Sequence, residues 1–238
     1  MVTESFLKEI GGKSVVEQIV DNVTNAIING ELKPGDKIPT ENELCASMGV
    51  GRNSVREAIK ILEAYGVLTI KRAEGTFVKQ GFDSKMLYPV LYGIILQKDS
   101  ANQIIELRKV IDVGILQLAI DKLDLDSLHK AERVMQELEQ KMSAVTADAN
   151  AIFEADTAFH RVLAAITQNA LLEGICAYVD QITKKSRLKA IENFLNDKAT
   201  EQFLLMHREM LRVLKEKDRT KINEVVENHY QYWEKVKE

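Results

Sequence analysis

The sequence predicts a mainly α-helical protein with two domains: a small one built from helices and a single β-hairpin, then an antiparallel all-α bundle of six to seven helices. Apolar residues recur at helical spacing through most of the chain, strand-like segments are confined to residues 67–79, and Pro89 is the one proline beyond Lys85. A chain of 238 residues, 45% of them hydrophobic, is long and apolar enough for two cores. We place the domains at residues 1–80 and 85–238, with the boundary in the glycine-containing segment between them.

The first helix is predicted from Val15 to Asn29. Ser14 and Glu17 form a capping box, in which the side chain of each residue bonds the backbone N–H of the other and so marks the start of the helix. Gly30 follows the last apolar position and ends the helix. The apolar stripe expected to face the core consists of Val16, Ile19, Val20, Val23 and Ile27.

Two further helices are predicted, joined by a short turn. Thr40 and Glu43 form a second capping box, so a helix begins at Thr40, and Gly49 ends it. The next helix runs from about Arg52 to Tyr65 and has one apolar and one polar face. This is the geometry of a helix-turn-helix motif whose second helix enters the DNA major groove. The residues of that helix predicted to contact DNA are Arg52, Asn53, Ser54, Arg56 and Lys60.

A β-hairpin is predicted after Gly66. Val67–Lys71 and Thr76–Lys79 have the composition of strands, and the four residues between them form the turn. A basic hairpin that follows a helix-turn-helix is the wing of a winged helix, which reaches the backbone or the minor groove of DNA. The predicted wing contacts are Arg72, Gly75 and Thr76.

Charge alone does not predict DNA binding. The formal net charge is -4, and residues 1–80 hold ten basic and eleven acidic side chains. The prediction depends on where the cations are placed. Those on the second helix of the motif and on the hairpin are Arg52, Arg56, Lys60, Lys71 and Arg72. The alternative for these cations is an ordinary solvated helix face.

The segment from Leu32 to Val78 resembles the N-terminal domain of the GntR family of bacterial transcription regulators. The resemblance implies a winged helix-turn-helix that binds an operator. Asn42 stands where the family usually has Arg, Gly51 where it has Ser or Thr, and Ala73 where Gly is common, so no operator sequence is implied. The matching residues are Leu32, Pro34, Gly35, Asp36, Ile38, Pro39, Glu41, Glu43, Leu44, Gly49, Val50, Arg52, Val55, Arg56, Glu57, Ala58, Leu62, Gly66, Leu68, Gly75, Thr76, Phe77 and Val78.

Other features of the sequence exclude several classes of protein. Cys45 and Cys176 are the only cysteines, so neither a disulfide framework nor a thiolate metal cluster is expected. Charged residues interrupt the N-terminal segment, which is not a signal peptide, and the longest apolar run, Val90–Leu96, is too short to span a bilayer. We expect a soluble, cytoplasmic protein with no membrane partner.

Everything after residue 85 is predicted to be helical and to form the antiparallel bundle, because amphipathic periods follow one another with short connections. The predicted helices are 85–97, 101–122, 127–146, 149–168, 170–193, 198–216 and 221–237. The predicted N-caps are Ser100, Asp126, Asn169, Asp197 and Thr220.

Three of the four histidines are candidates for a metal site in the bundle. Asp156 and His160 are four residues apart and project from one helix face. His207 and His229 lie on the last two helices, and if these pack antiparallel the two imidazoles lie at similar heights. An Asp and three imidazoles suit a divalent transition metal such as Zn, Ni or Mn. Three ordinary helical histidines are the alternative, and His129, in a charged run, is predicted to be solvated.

From about residue 85 onward the chain resembles the FCD ligand-binding domain found in the FadR-like branch of the GntR family. The residues that carry this resemblance are Glu106, Arg108, Asp156, Phe159, His160, Asn169, His207 and His229. The resemblance implies that the Asp and the three His of this set bind the metal and that the effector is a small organic acid such as lactate, pyruvate, citrate or a sugar acid. Arg108 is the candidate for a bidentate contact with the effector carboxylate. The alternative for Arg108 is a surface ion pair with Asp112.

The combined prediction is a metabolite-responsive transcription regulator that is not an enzyme. A homodimer would present two reading helices to a palindromic double-stranded DNA operator, and the effector would change affinity by favouring one of two states. The alternative is a metal-dependent hydrolase with an accessory DNA-binding domain, because an open metal site can activate water. The sequence contains no HExxH motif, and no general base is evident beside the metal candidates, so we favour the regulator.

Overall fold

The structure is a computed structural model that describes residues 12–96 and 100–231. The chain divides into two compact units, Met1–Pro89 and Val90–Glu238. Within the described residues the fold is mainly helical, and its β-structure is confined to one small antiparallel sheet in the first unit, as the sequence predicts. None of the helices in these ranges is long and apolar enough to cross a membrane.

The first unit is a winged helix-turn-helix. Its elements are α1 (Val15–Ile28), α2 (Glu41–Met48), α3 (Arg52–Ala64), β1 (Leu68–Lys71) and β2 (Gly75–Val78). Both predicted capping boxes form: Ser14 pairs reciprocally with Glu17 at the start of α1, and Thr40 pairs with Glu43 at the start of α2. Gly49 ends α2 at a φ of +66°, a left-handed conformation that suits glycine.

A single hydrophobic core holds this unit together. α3 packs against α1, α2 and β1, and β1 pairs with β2 in a register that sets Leu68 opposite Val78 and Lys71 opposite Gly75. The buried core residues are Ile19, Val23, Ile38, Leu44, Val55, Ala58, Ile59, Leu62, Leu68 and Val78. Because these residues come from every helix and strand of the unit, the core fixes α3 and the hairpin relative to each other.

The second unit is a helical bundle, preceded by a short 3-10 turn at Ser84–Leu87. α4 (Tyr88–Ile95) spans the boundary between the two units. The helices that lie within the second unit are α5 (Ser100–Lys122), α6 (Leu125–Met142), α7 (Ala149–Ile166), α8 (Ala170–Asn196), α9 (Thr200–Glu216) and α10 (Ile222–Tyr230), with a 3-10 turn at Arg219–Lys221. The predicted cap at Ser100 adjoins residues 97–99, and the predicted last helix extends into residues 232–237. Both of these segments lie outside the described residues.

The side-chain caps of the bundle differ in part from the prediction. Those present are Asp124, Asp148, Asn169 and Asp218. Asn169 is confirmed, whereas Asp126, Asp197 and Thr220 are wrong. α6 begins early enough to enclose Asp126, and α8 continues to Asn196, so Asp197 caps its C-terminus instead. Side chains one or two residues apart can each cap the start of the same helix, and packing decides at which of them the helix begins.

Packing in the bundle brings five helices to one interior. α7 packs against α6, α8 and α5, while α10 packs against α5 and α9. The large side chains of the core include Leu116, Leu138, Ile152, Phe159, Leu163, Phe194 and Met210, each with at most 1% of its surface exposed. Polar side chains from α5, α7, α8, α9 and α10 are enclosed beside this core.

Candidate DNA-binding and ligand-binding sites

α3 presents its predicted DNA contacts on the surface of the first unit. Arg52, Asn53, Arg56 and Lys60 are exposed, and Ser54 is partly buried. The buried face of the same helix consists of Val55, Ala58, Ile59 and Leu62. Since that apolar face is fixed in the core, the polar face is held outward, where a DNA groove can receive it.

The two arginines of α3 differ in their surroundings. Arg56 Nη2 donates to Glu41 Oε2 at 3.0 Å, and its Nε donates to Glu41 Oε1 at 3.4 Å, so α2 orients this guanidinium. The hydrogen bond to Glu41 raises the pKa of Arg56. Arg52 makes no ion pair with any residue in the described ranges. Gly51 caps α3 without a side-chain bond, which leaves the first N–H groups of the helix open to a phosphate.

The predicted wing contacts lie at and beside the hairpin turn. Arg72 is exposed, and Gly75 and Thr76 are partly buried. Gly75 has a φ of +125°, which other residues adopt rarely. Ala73, at the position where glycine is common, has a φ of +64° and therefore carries the strain of a left-handed backbone.

His160, His207 and His229 come together in the interior of the second unit. Each is buried, and one ring nitrogen from each lies within 4.8 Å of the others. The ring centroids of His207 and His229 are 4.6 Å apart, because α9 and α10 pack together across the turn at Arg219–Lys221. The predicted approach of these two imidazoles is confirmed. His129 is exposed on α6, as predicted.

Asp156 meets the histidines on the same side. Its Oδ1 lies 2.7 Å from His207 Nε2 and 3.6 Å from His160 Nε2. His207 Nδ1 lies 2.8 Å from the carbonyl oxygen of Phe203 and donates to it, which fixes the ring with Nε2 facing the carboxylate. His229 Nδ1 is buried without a hydrogen bond to any described residue. Facing donor atoms and an orphaned imidazole nitrogen fit a bound metal cation.

Burial and neighbouring charges keep His160, His229 and Asp156 in the forms that coordinate metals. Burial lowers the pKa of His160 and of His229 well below the ordinary value, because a charged imidazolium loses its hydration there. Burial alone would raise the pKa of Asp156, but the guanidinium of Arg187 and the neighbouring His207 together outweigh it and hold that pKa well below its usual range. Neutral imidazoles and an ionised carboxylate are the ligand forms that a metal requires.

Arg108 is buried, with 4% of its surface exposed, so the alternative of a surface ion pair is wrong. The pair with Asp112 does form, in the interior, with Arg108 Nε 3.3 Å from Asp112 Oδ2. Arg108 Nη1 donates to Asp180 Oδ1 at 2.8 Å. Its Nη2 makes no hydrogen bond with any residue in the described part of the chain, so one terminal nitrogen is left for a ligand.

Three further residues of this cluster, Arg187, Asp180 and Tyr230, are not predicted from the sequence. Arg187 donates to Asp156 through Nε at 3.1 Å and through Nη2, and to Asp180 Oδ1 through Nη1 at 2.8 Å. The Tyr230 hydroxyl donates to Asp112 Oδ2 at 2.6 Å. The sequence does contain a pattern that could have indicated two of them. Asp180 and Arg187 are seven residues apart and share a face of α8 with its buried apolar residues. Charges at such positions have to find partners in the interior.

A cavity lies beside this cluster. Its volume is about 10 Å³, roughly the room of one water molecule, and it is partly open to solvent. Its lining consists of Ile105, Arg108, His160, Thr183, Arg187 and Tyr230. Two guanidinium groups, an imidazole and two hydroxyls on one small cavity favour a small anionic ligand.

Comparison with known families agrees with both units. Residues 15–78 match the family described as bacterial regulatory proteins, gntR family, and residues 103–232 match the FCD domain. The solved structure of a GntR protein from Streptococcus agalactiae aligns with 93% of this chain and 100% of its own, with a TM-score of 0.58 and 24% sequence identity, which supports the fold.

Two relatives extend the match to function. The HTH-type transcriptional regulator LutR of Bacillus subtilis (strain 168) is 32% identical over 174 residues, which are 73% of this chain and 78% of that protein. The galactonate operon transcriptional repressor of Escherichia coli (strain K12) is 25% identical over 172 residues, 71% of this chain and 73% of that protein. Both are regulators rather than enzymes, so the hydrolase alternative has no support. The chain belongs to the gntR family of bacterial regulatory proteins and is a DNA-binding transcription regulator with an FCD domain.

Proposed function

We propose that this regulator binds a small carboxylate at a metal centre in its FCD domain, and that this binding changes its affinity for a palindromic operator. The observation that carries the proposal is that Asp156, three imidazoles and the guanidinium of Arg108 converge beside one buried cavity. A ligand that contacts several helices of the bundle favours one arrangement of those helices over another, and that difference in binding free energy is what shifts the population.

The proposed ligands of a Zn, Ni or Mn ion are Asp156, His160, His207 and His229. A bound divalent ion supplies a Lewis acid that accepts a carboxylate oxygen. A main-chain carbonyl fixes the ring of His207, and Arg187 holds the second oxygen of Asp156, so both ligands are oriented before a metal arrives.

The proposed effector is a small organic acid. Arg108 lines the cavity and keeps Nη2 without a hydrogen bond to a described residue, which suits a donor to a carboxylate oxygen. Its other nitrogens are held by Asp112 and Asp180, so the guanidinium is already oriented. The related galactonate operon repressor supports this class of effector, because galactonate is a sugar acid.

Elemental analysis of the purified protein tests the metal centre. We expect about one Zn, Ni or Mn per chain and a rise in melting temperature when metal is returned to EDTA-treated protein. His229→Gln should lose most of the metal, whereas His129→Gln, an exposed control, should keep it. Metal-free protein that shows no thermal shift with any of the three ions would remove the site.

A thermal-shift screen of small carboxylates on metal-loaded protein tests the effector. A ligand that binds only the folded state stabilises it by mass action, by about 2.7 kcal/mol when its concentration is 100 times its Kd. The melting temperature rises as a result. For each acid that raises the melting temperature, the corresponding amide is the matched control, because it keeps the shape of the acid and lacks its charge. A positive acid should also change the Kd for operator DNA, and one that leaves this Kd unchanged is not the effector.

The proposed DNA contacts are those of α3 and the wing. We expect Arg52→Ala and Arg56→Ala each to weaken binding to a duplex selected by the full-length protein from a random library, because guanidinium groups read guanine edges and phosphates. Lys33→Gln is the control, since Lys33 is exposed in the same unit and outside α3. If both arginine variants bind as tightly as the unaltered protein, α3 is not the reading helix.

The proposed homodimer uses α5. One face of this helix exposes Leu107 (42%), Val110 (71%) and Leu118 (39%), with Gly114 between them open to close approach. These positions share a face at helical spacing, while Ile115, Leu116 and Ala119 of the same helix are buried in the bundle, so α5 has apolar residues on two sides. In a homodimer the same stripe of a second copy would pack against it about a two-fold axis, and a protein with this symmetry matches a palindromic operator.

Light scattering after size exclusion tests the dimer. We expect twice the 26.9 kDa chain mass for the unaltered protein, and a shift toward the monomer for Val110→Glu, which puts a charge in the stripe. Leu205→Glu makes the same change at an exposed leucine of α9 and should leave the mass unchanged. A Val110→Glu variant that stays fully dimeric would place the interface elsewhere.

A further inference from the structure

The wing carries a third strand. Residues 36–38, just before α2, run antiparallel to residues 76–78 and are joined to them by main-chain hydrogen bonds of 2.9 and 2.8 Å. Lys37 lies opposite Phe77 between these two bonds, the arrangement in which facing side chains come closest. We call residues 35–38 together with β1 and β2 the wing sheet.

The wing sheet has two different faces. Its inner face is buried in the core through Ile38, Leu68 and Val78. Alternation along each strand places the outer-face side chains on the other side, and these include Lys37, Lys71 and the partly buried ring of Phe77. We call these three residues the outer face. One face thus secures the sheet, and the other offers two cations and an aromatic ring to solvent.

Contacts on the outer face hold the two lysines in place. Lys71 Nζ lies 4.8 Å from the centroid of the Phe77 ring, a cation–π contact. Lys37 runs along Gly75, so close that a Cβ on that glycine would lie 2.5 Å from Lys37 Cε and 3.2 Å from Nζ. Glycine at this position therefore leaves room for the Lys37 side chain to reach the turn of the wing.

Neither lysine of the outer face is neutralised by the protein. Lys79 pairs with Asp83 and Lys60 pairs with Glu63, whereas Lys37 and Lys71 form no ion pair with the described residues. Two ammonium groups on one face of the sheet, without carboxylate partners among the described residues, are the electrostatic footprint of a phosphate-binding surface. Lysine is suited to phosphate as a mobile point charge and carries no preference for a base.

We propose that the outer face of the wing sheet binds the phosphate backbone of double-stranded DNA, as a contact additional to α3 and the hairpin turn. Lys37 comes from the segment before α2, so the site joins two parts of the chain that only the third strand brings together. The inference rests on α3 being the reading helix, because the wing sheet can add contacts only to a duplex already held there. Its contribution is to affinity and registration on the duplex, not to sequence choice.

The test measures Kd by fluorescence anisotropy with the full-length protein, a labelled duplex selected from a random library, and a scrambled duplex of equal length. Lys37→Gln and Lys71→Gln remove the charge and keep side-chain length, and Lys33→Gln is the control. Each lost phosphate contact lowers the slope of log Kd against log salt by about 0.9 for each bound protomer. Between 50 and 200 mM salt the variant should therefore lose about 3.5-fold less affinity, per bound protomer, than the unaltered protein does. The loss at low salt should be the same for both duplexes.

Each result decides between the parts of the proposal. If Lys37→Gln and Lys71→Gln keep the affinity and salt slope of the unaltered protein while Arg52→Ala loses binding, the outer face does not contact DNA and α3 remains the reading helix. If Arg52→Ala binds normally, the assignment of α3 fails and the inference fails with it. A loss confined to the selected duplex would make the lysines base readers and would also overturn the backbone assignment.

Discussion

Ala73 holds a left-handed backbone conformation in the turn of the wing, with a φ of +64°. The Cβ of an L-residue crowds the neighbouring carbonyl in this region, at a cost of about 1–2 kcal/mol. A glycine would avoid that cost, although it also loses more chain entropy on folding. The turn that presents Arg72 and Gly75 is therefore strained in this protein.

Replacing Ala73 with glycine should raise stability by about 0.5–1 kcal/mol, because the relief of strain exceeds the added entropy loss. Ala64→Gly makes the same chemical change at the last residue of α3, in a right-handed helix, and should lower stability by about 0.5–1 kcal/mol. Urea unfolding followed by circular dichroism measures both. Equal signs for the two variants would mean that strain at Ala73 is not significant.

Arg56 shows how a single exposed ion pair can serve recognition. Its side chain is 63% exposed and that of its partner Glu41 is 37% exposed, so water screens the pair and its stability contribution is small. A weak ion pair orients the guanidinium, and exchanging it for a contact with a phosphate or a guanine costs little free energy. Arg56, a proposed DNA contact, is therefore oriented by Glu41 in a pair that contributes little to stability.

The helix α8 contributes the charges that complete the interior network of the bundle. Asp180 and Arg187 lie on one face, two turns apart, and both are 2% exposed. Arg187 links Asp156 on α7 to Asp180, and Arg108 links Asp180 to Asp112 on α5. Three helices are therefore joined by alternating charges that are almost entirely buried.

Arg187→Met should destabilise the metal-free protein by about 3–5 kcal/mol, because it leaves two buried carboxylates without their shared cation. Lys185→Met, two residues away and exposed, is the matched control and should change stability by less than about 0.5 kcal/mol. Chemical unfolding in EDTA measures both variants. A loss below about 1 kcal/mol for Arg187→Met would show that the carboxylates are satisfied in another way.

For the whole molecule, the buried histidines link stability to pH. Burial holds the pKa of His160 and His229 well below the 6.5 of a free imidazole. As pH falls through this value the unfolded chain takes up protons that the folded chain does not, so the stability present above about pH 6.5 is progressively lost below it. Asp156, whose pKa is also lowered, adds a further loss only below its ordinary value of 3.8.

We expect the metal-free protein to lose about 2 kcal/mol of stability between pH 6.5 and 5.5 through these two histidines. His229→Gln should remove about half of that loss, whereas His129→Gln should leave the profile unchanged because His129 is exposed. Unfolding free energies at several pH values in EDTA give the comparison. A flat profile for the unaltered protein would mean that the buried imidazoles accept protons as readily as free ones.

The sequence by itself determined the elements whose signals are local. Both N-terminal capping boxes, the end of α2 at Gly49 and the amphipathic helix α3 follow from residues within four positions of one another, and the structure has them as predicted. Asp156 and His160 share a helix face for the same reason. Local spacing failed at helix ends, as at the caps Asp126 and Thr220 and at the end of α6, which lies at Met142 and not at residue 146.

Tertiary structure alone decided which distant charges meet. Arg108 and Asp180 are 72 residues apart, and Tyr230 and Asp112 are 118 apart, and nothing in either local pattern specifies the partner. The third strand of the wing is a similar case, since Lys37 reaches Phe77 through main-chain bonds that any residue can make. Side-chain spacing along one helix is set by the backbone period, but contacts between elements depend on how the whole core packs.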